Sequence, residues 1–430
     1  MWNRIRKLPV LLATASTAFL MATGPVQSKE IPSADPKDVG LSAERLDRIG
    51  NWLESEIAAK KIPGAVVLIA RRGKVAWHKA FGVLDPASDT PMPEDAIFRI
   101  YSMTKPIATV AAMSLVEEGR LRLETPISAY IPAFKDMEVA VEKPGADGGE
   151  STVEMQAARR PITVHDLMRH TSGLTYGFFG KSPAKQAYLD AGISTDGDIS
   201  LAQFSDQLAT MPLGFHPGTT WDYSYSTDVL GRVVEVVAGK PLGEVLHKRV
   251  FEPLDMEDTA FYVTDAEKQK RIAEPFPDDK AIGAGVDFYD PRVATKMESA
   301  GGGLTGTARD YARFAQMLLA GGELDDTRIL GPATIGFMAS DHLGSAIDKG
   351  KLYLPGRGYG FGLGFGVRTD TGLAAFPSSI GEYYWGGAGG TYFWVDPKQE
   401  LAVVFMMQSP KNRVPYRSLL RNLVYGAIVD

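Results

Sequence analysis

The chain of 430 residues contains no cysteine. That excludes a disulfide framework, a thiol nucleophile, a lipid-modified cysteine and any cysteine-rich zinc site. Positive charge is not in excess. The formal net charge is -6, and no long basic run occurs beyond the first seven residues. Nucleic-acid affinity comes from neutralising phosphates, so nucleic acid is not an expected partner. The six histidines, His78, His165, His170, His216, His247 and His342, are scattered, and no pair shows the H-E-x-x-H zinc spacing. There is no P-loop. The nearest approach to a G-x-S-x-G elbow, Gly40-Leu41-Ser42-Ala43-Glu44, lacks the second glycine. Neither a metal nor an organic cofactor is expected.

Long apolar runs are missing too, with one exception. Arg4, Arg6 and Lys7 precede an apolar or small stretch from Leu8 to Met21, and small residues follow. This pattern predicts a signal peptide over residues 1–28, cleaved after Ser28 with Val26 three positions back. Cleavage after Gly24 would place Pro25 first and is disfavoured. About 14 apolar residues fall short of the roughly 20 that a spanning helix needs. The expectation is an exported protein, periplasmic or secreted, with no stable membrane span after cleavage. With 44% hydrophobic and 23% charged residues, the rest of the chain has the composition of a folded protein.

Periodicity then divides the chain. Residues 29–40 are polar and proline-containing, a linker pattern. Leu46, Ile49, Trp52, Leu53 and Ile57 recur at helical spacing within Leu41 to Lys61. Strand-like runs Gly64 to Ala70 and Lys74 to Phe81, separated by Arg71-Arg72-Gly73, predict a hairpin. After Ser102, Ile107, Val110, Ala111, Ser114 and Leu115 mark a helix that Gly119 ends. Residues 136–160 are acidic, glycine-rich and aperiodic, and read as a surface excursion. A largely helical pattern runs from about 162 to 320. Strand signals return at Phe361 to Val367, Tyr383 to Trp385, Tyr392 to Val395 and Leu401 to Met407, before a last helix carrying Leu419, Leu420, Leu423, Val424 and Ala427. Strands at both ends of a helical middle predict an α+β fold. Its discontinuous α/β domain spans residues 41–125 and 296–430, and a mostly helical domain over 126–295 is inserted, leaving a cleft between them.

Three short constellations can carry chemistry. The first is Ser102-Met103-Thr104-Lys105. On a helix beginning at Ser102, a residue three places on lies one turn above on the same face, so the amine reaches the hydroxyl. A serine hydroxyl is a weak nucleophile until a neighbouring base activates it, and burial favours the neutral amine. Pro106 suits a first helical turn. The plainer reading is a serine N-cap beside a solvated lysine. The second constellation is Trp221-Asp222-Tyr223-Ser224-Tyr225, where a tyrosine near cations can accept and return a proton. The alternative is two packing tyrosines with satisfied hydroxyls. The third is Trp385-Gly386-Gly387-Ala388-Gly389-Gly390, whose glycines let a backbone come close to a ligand. Alone it also fits a bulge between two strands.

The motifs S-M-T-K, Y-S-Y and W-G-G-A, in this order and at these wide spacings, closely resemble the serine β-lactamase/penicillin-binding-protein superfamily. The nearer resemblance is to its class C β-lactamase-like esterase branch, the family VIII carboxylesterases. Thr163-Val164-His165-Asp166-Leu167-Met168-Arg169-His170-Thr171-Ser172-Gly173-Leu174, Ser299-Ala300-Gly301-Gly302-Gly303-Leu304 and the run from Thr307 to Phe314 support it, so the likeness covers roughly residues 35 to 430. It implies a β-lactamase-like fold, an antiparallel sheet flanked by helices plus an inserted all-helical domain. It also implies Ser102 as nucleophile, Lys105 and Tyr223 sharing base and acid work, and the Ser102 and Ala388 N–H groups as the oxyanion hole. Trp385, Gly386, Gly387 and Tyr225 would line the substrate site.

Two departures from the lactamase pattern bear on substrate. Tyr225 stands where lactamases usually place an asparagine, so a polar partner for a substrate amide and for the lysine is missing. Trp385-Gly386-Gly387 replaces Lys-Thr-Gly, and an indole cannot pair with a substrate carboxylate. Arg357 and Arg368 are the candidates to resupply that charge. Both departures favour neutral esters with small apolar acyl groups, and the first expectation is a carboxylesterase for short-chain neutral esters working through an acyl-enzyme on Ser102. The alternatives are an amide-cleaving relative (β-lactamase, D-amino-acid peptidase or small-amide hydrolase) and a cell-wall or ligand-binding protein without turnover. The expected partner is a small-molecule ester or amide; oligomeric state is left open.

Overall fold

Eight strands form one antiparallel sheet, and their order explains why both ends of the chain carry strand signals. The computed structural model describes residue 2 and residues 30–145, 151–283 and 286–430, with backbone alone at 283, 286 and 287. Apart from Trp2, the expected signal peptide over 1–28 lies outside the described residues. Across the sheet the strands are Tyr359–Phe361, Gly366–Arg368, Tyr383–Gly386, Tyr392–Asp396, Leu401–Met407, Gly64–Arg71, Lys74–Asp85 and Thr90–Pro91. The chain's last strand therefore lies beside its first, with Ala65 opposite Met407 and Arg71 opposite Leu401. The predicted hairpin turns at Arg72 and Gly73, both at positive φ (53° and 74°), as a two-residue turn of matching twist requires.

The central strands are apolar without interruption because both faces of the sheet are covered. Val66, Leu68, Ala70, Ala402, Val404 and Met406 point into one core, with Ile107, Ala111, Tyr311 and Ala315 of the helices Thr104–Glu117 and Ala308–Leu319. Ala65, Val67, Ile69, Val403, Phe405 and Met407 point into the other, against Leu46, Ile49 and Leu53 of the helix Ala43–Ala58 and Leu420 and Val424 of Arg413–Ala427. Sheet, flanking helices and a helical middle make the α+β, β-lactamase-like fold that the sequence predicts.

Three local expectations change. The polar stretch 29–40 is no free linker over its described part: Ile31 and Val39 are buried, Ser33 bridges Val75, and Pro36–Val39 forms a 3-10 turn. The excursion 136–160 contains a hairpin, Glu138–Lys143 paired with Thr152–Ala157. Its alternation was present in the sequence but was obscured by the Gly/Asp-rich residues between the two halves. The strand expected over Phe361 to Val367 is two short paired strands, because Gly364 turns the chain at φ 93°.

One polar knot secures the entry to the helical middle. Thr163 and Asp166 form a reciprocal capping box on the helix Val164–Met168. Asp166 is fully buried and accepts from Arg160, Arg169 and Thr171. Burial pushes its carboxyl up, but the Arg160 and Thr163 hydrogen bonds win and hold it at about 2. A carboxyl lowered by folding stabilises fully above its ordinary range near 4, and the contribution is lost as pH falls through about 2. The shift corresponds to about 2 kcal/mol. Asp166→Asn is therefore expected to lower the urea midpoint at neutral pH, with the difference from wild type shrinking below about pH 4. A gap of constant size down to acid pH would show that the carboxylate charge contributes nothing.

Candidate active site

The chain reaches Ser102 from the short strand Phe98–Arg99, which pairs with Thr305–Gly306. Tyr101 follows at φ 44°, an uncommon conformation for a bulky residue and one that turns the backbone sharply. Tyr101–Met103 is a 3-10 turn and the α-helix begins at Thr104, two residues later than the sequence suggested. The helix is also not amphipathic. Every residue from Thr104 to Leu115 is buried, so it runs through the interior and carries Lys105 with it.

Lys105 is 1% exposed. Its Nζ lies 3.5 Å from Ser102 Oγ, 3.2 Å from Tyr176 Oη and 2.7 Å from the Gly301 carbonyl oxygen. Three acceptors satisfy the three N–H groups of an ammonium. The same positions equally suit a neutral amine, which donates two hydrogens and offers its lone pair to the serine hydroxyl. The Nζ also stands 4.5 Å from the centroid of the Tyr223 ring. Tyr223 thus meets the lysine with its face, while its phenol oxygen accepts the Trp385 indole N–H at 3.1 Å.

A buried acid stands behind this cluster. Asp228, on the helix Ser226–Ala238, accepts from Ser299 Oγ at 2.6 Å and from the Gly301 N–H at 3.0 Å. It therefore fixes the peptide turn whose carbonyl holds Lys105. A side chain on Gly301 would overlap the Asp228 carboxylate, so only glycine fits there. Burial pushes the Asp228 carboxyl up, and the Lys105 charge opposes that shift. Burial and then the Lys105 charge hold His170 well below the ordinary imidazole range. His170 sits at φ 57° just past the helix Val164–Met168, where the chain turns. Its ring also packs 4.9 Å from that of Tyr223, and Nδ1 pairs with Ser224 Oγ at 3.2 Å.

The glycine run ends the strand Tyr383–Gly386 next to Ser102. A side chain on Gly387 would overlap the Ile100 carbonyl and the Thr391 hydroxyl, so this close passage needs glycine. Ser102, Tyr223, Tyr225, Trp385, Gly386, Gly387 and Ala388 all line one cavity of about 1000 Å³. Sequence reasoning thus named residues that the fold does bring together.

It missed or misplaced others. Tyr176 and the Gly301 carbonyl supply the lysine partners that the absent asparagine would have provided. Trp385 is more than an apolar wall, since its N–H points at Tyr223. Tyr225 is 3% exposed, donates to the Ile193 carbonyl at 3.1 Å and packs 4.4 Å from the Tyr176 ring. Arg357 and Arg368 do not line the cavity: Arg357 is exposed, and Arg368 is buried against Tyr359 and Phe376. The cavity's arginines are Arg413 and Arg417, from the C-terminal helix.

Comparison with known proteins gives this arrangement a lineage. The Beta-lactamase family model matches residues 49–425. An uncharacterised protein of Mycobacterium tuberculosis is 37% identical over 81% of this chain and 86% of its own length. Esterase EstB of Burkholderia gladioli is 32% identical over 92% of this chain and 98% of its own. Among solved structures, EstCE1, described as a hydrolase with promiscuous acyltransferase activity, superposes with a TM-score of 0.73 at 30% identity. That match covers 89% of this chain and 99% of EstCE1. With a buried lysine beside Ser102 and a match along nearly its whole described length, the chain is a serine hydrolase that belongs to the β-lactamase family, on the branch of the penicillin-binding-protein superfamily that contains esterases.

Proposed function

We propose that the protein is a carboxylesterase for neutral esters that works through an acyl-enzyme on Ser102. The observation that carries this is Lys105 Nζ, buried and within 3.5 Å of Ser102 Oγ, in a cavity walled by Phe178, Phe179, Phe288 and Trp385. As Ser102 Oγ attacks the ester carbonyl, its proton passes to Lys105, whose Nζ lies 3.5 Å away. The charge that develops on the carbonyl oxygen is met by the Ser102 and Ala388 N–H groups. The tetrahedral species collapses, the C–O bond to the alcohol breaks, and the alcohol leaves with the proton that the serine gave up. Water then attacks the acyl carbonyl and gives its proton to Lys105, the C–Oγ bond breaks, Ser102 Oγ takes that proton back, and the carboxylic acid leaves. The Trp385 N–H, by donating to the Tyr223 oxygen, fixes that phenol at the cavity wall.

The lining argues for esters over lactams. Arg413 and Arg417 are the cavity's arginines, and both donate to backbone carbonyls, of Pro410 and of Gly387 with Thr391. Trp385 leaves no cation at the strand position where a lactam carboxylate would sit. A short acyl group does not fill about 1000 Å³, so the remaining room suits a bulky apolar alcohol portion. EstB and EstCE1, an esterase and a hydrolase by name, are consistent with this reading. The test is a panel of nitrophenyl acetate and butyrate, a chromogenic cephalosporin and a D-alanyl peptide, with phosphonate labelling followed by peptide mapping. The esters are expected to turn over fastest, with the label on Ser102. Faster cephalosporin or peptide turnover would move the assignment to amide cleavage, and a label elsewhere would remove Ser102.

A further inference from the structure

Arg417 is a cation that the ester chemistry above does not use. It projects from the helix Arg413–Ala427 to the cavity wall, with its guanidinium 5.1 Å from the Tyr392 ring centroid. Nη2 donates to the Gly387 carbonyl at 2.7 Å and to the Thr391 carbonyl at 3.2 Å. Nε is buried with no hydrogen-bond partner among the described residues. The contact is built in on both sides. A side chain on Gly386 would overlap the Arg417 guanidinium, so the strand carries glycine where the arginine crosses it. The Gly387 N–H in turn donates to the Thr391 carbonyl at 2.8 Å, so arginine, Gly387 and Thr391 are one interlocked unit.

The Gly387 carbonyl and the Ala388 N–H belong to the same peptide group. The described residues include no cis peptide, so these two bonds point in opposite directions from one rigid plane. A donor that fixes the carbonyl on one side therefore fixes the aim of the N–H on the other. A charged donor also draws electron density toward the carbonyl oxygen, which leaves the N–H a stronger donor. We propose that Arg417 is a positioning residue for ester cleavage, orienting and polarising the Gly387–Ala388 peptide so that the Ala388 N–H receives the transition-state oxyanion. This rests on the acyl-enzyme reading given above.

The role makes a signature that packing alone does not. In the acyl-enzyme the ester carbonyl lies in the oxyanion hole, and the strength of its donors sets its stretching frequency. The experiment compares wild type, Arg417→Met and Arg417→Lys. It uses kcat and KM for nitrophenyl butyrate, mass spectrometry of the trapped acyl-enzyme, and isotope-edited infrared spectra of its labelled carbonyl. Loss of a whole oxyanion donor costs about 100-fold to 1000-fold in kcat. Weakening one through its peptide is expected to lower kcat about 10-fold to 100-fold in Arg417→Met, with KM within about 3-fold. The acyl carbonyl band should move to higher frequency, and Arg417→Lys, which keeps the charge, should fall between. If Arg417→Met does not fold, the Arg417→Lys band carries the test. A kcat within twofold of wild type, or a fall in kcat with an unmoved band, overturns the role of Arg417 and leaves the acyl-enzyme intact. Absence of any acyl group on Ser102 in the wild type overturns the underlying reading, and this inference with it.

Discussion

Ser102→Ala is expected to abolish ester hydrolysis, with kcat reduced by at least about 10⁴-fold and the fold unchanged. The size follows from what the residue supplies. In the proposed mechanism its oxygen is the atom that forms the new bond. Tyr176 is bonded to Lys105 as well, but burial pushes its phenol well above the ordinary range, so it does not ionise to replace a serine. Catalysis that survives loss of a nucleophile comes from binding and the oxyanion donors alone, as it does in other serine hydrolases. The structural cost is small. Ser102 is only half-buried, and its Lys105 contact is the longest of the three that the amine makes. Initial rates on nitrophenyl butyrate, with the variant's circular dichroism and Tm as controls, decide the matter. A variant within tenfold of wild type would mean that Ser102 is not the nucleophile.

How far such a site is legible in a sequence depends on which bonds build it. Ser102 and Lys105 are three residues apart, so a single turn brings them together, and local spacing shows it. Tyr223 and Trp385 are distant: their motifs stood out locally, but that they meet Ser102 followed only from resemblance to a family in which the same motifs recur. Tyr176 had no such signal, because it follows the His170 turn on irregular chain, where no period marks which side faces inward. The Gly301 carbonyl is invisible for a different reason: every residue has one, and only the Asp228 anchor, 73 positions away, makes this one special. The fold divides similarly. Uninterrupted apolar strands and the two-residue turn at Arg72 and Gly73 are local facts and were readable. The burial of Thr104 to Leu115 on every side was not, since the alanines and threonines of this helix look the same against solvent or against a core.

The same distinction sharpens what to expect at Lys105, where charge and basicity can be separated. Lys105→Met should lower kcat/KM by at least about 10³-fold, because the serine loses the base within reach of its hydroxyl. The variant is also expected to be less stable. It leaves the Gly301 carbonyl and the Tyr176 hydroxyl without their donor, and Asp228 without an opposing charge, and breaking a buried charged network of this kind costs about 3–5 kcal/mol. Tm and activity must therefore be read together, at a temperature where the variant is folded. Lys105→Arg resolves the ambiguity. A guanidinium keeps the positive charge and the donors but cannot give up its proton in a protein, so it can hold Tyr176 and Gly301 yet cannot act as a base. If proton transfer is the lysine's task, the arginine variant should regain part of the lost stability and little of the activity. Near-normal rates in that variant would reduce Lys105 to an electrostatic post and pass the work of the base to Tyr223.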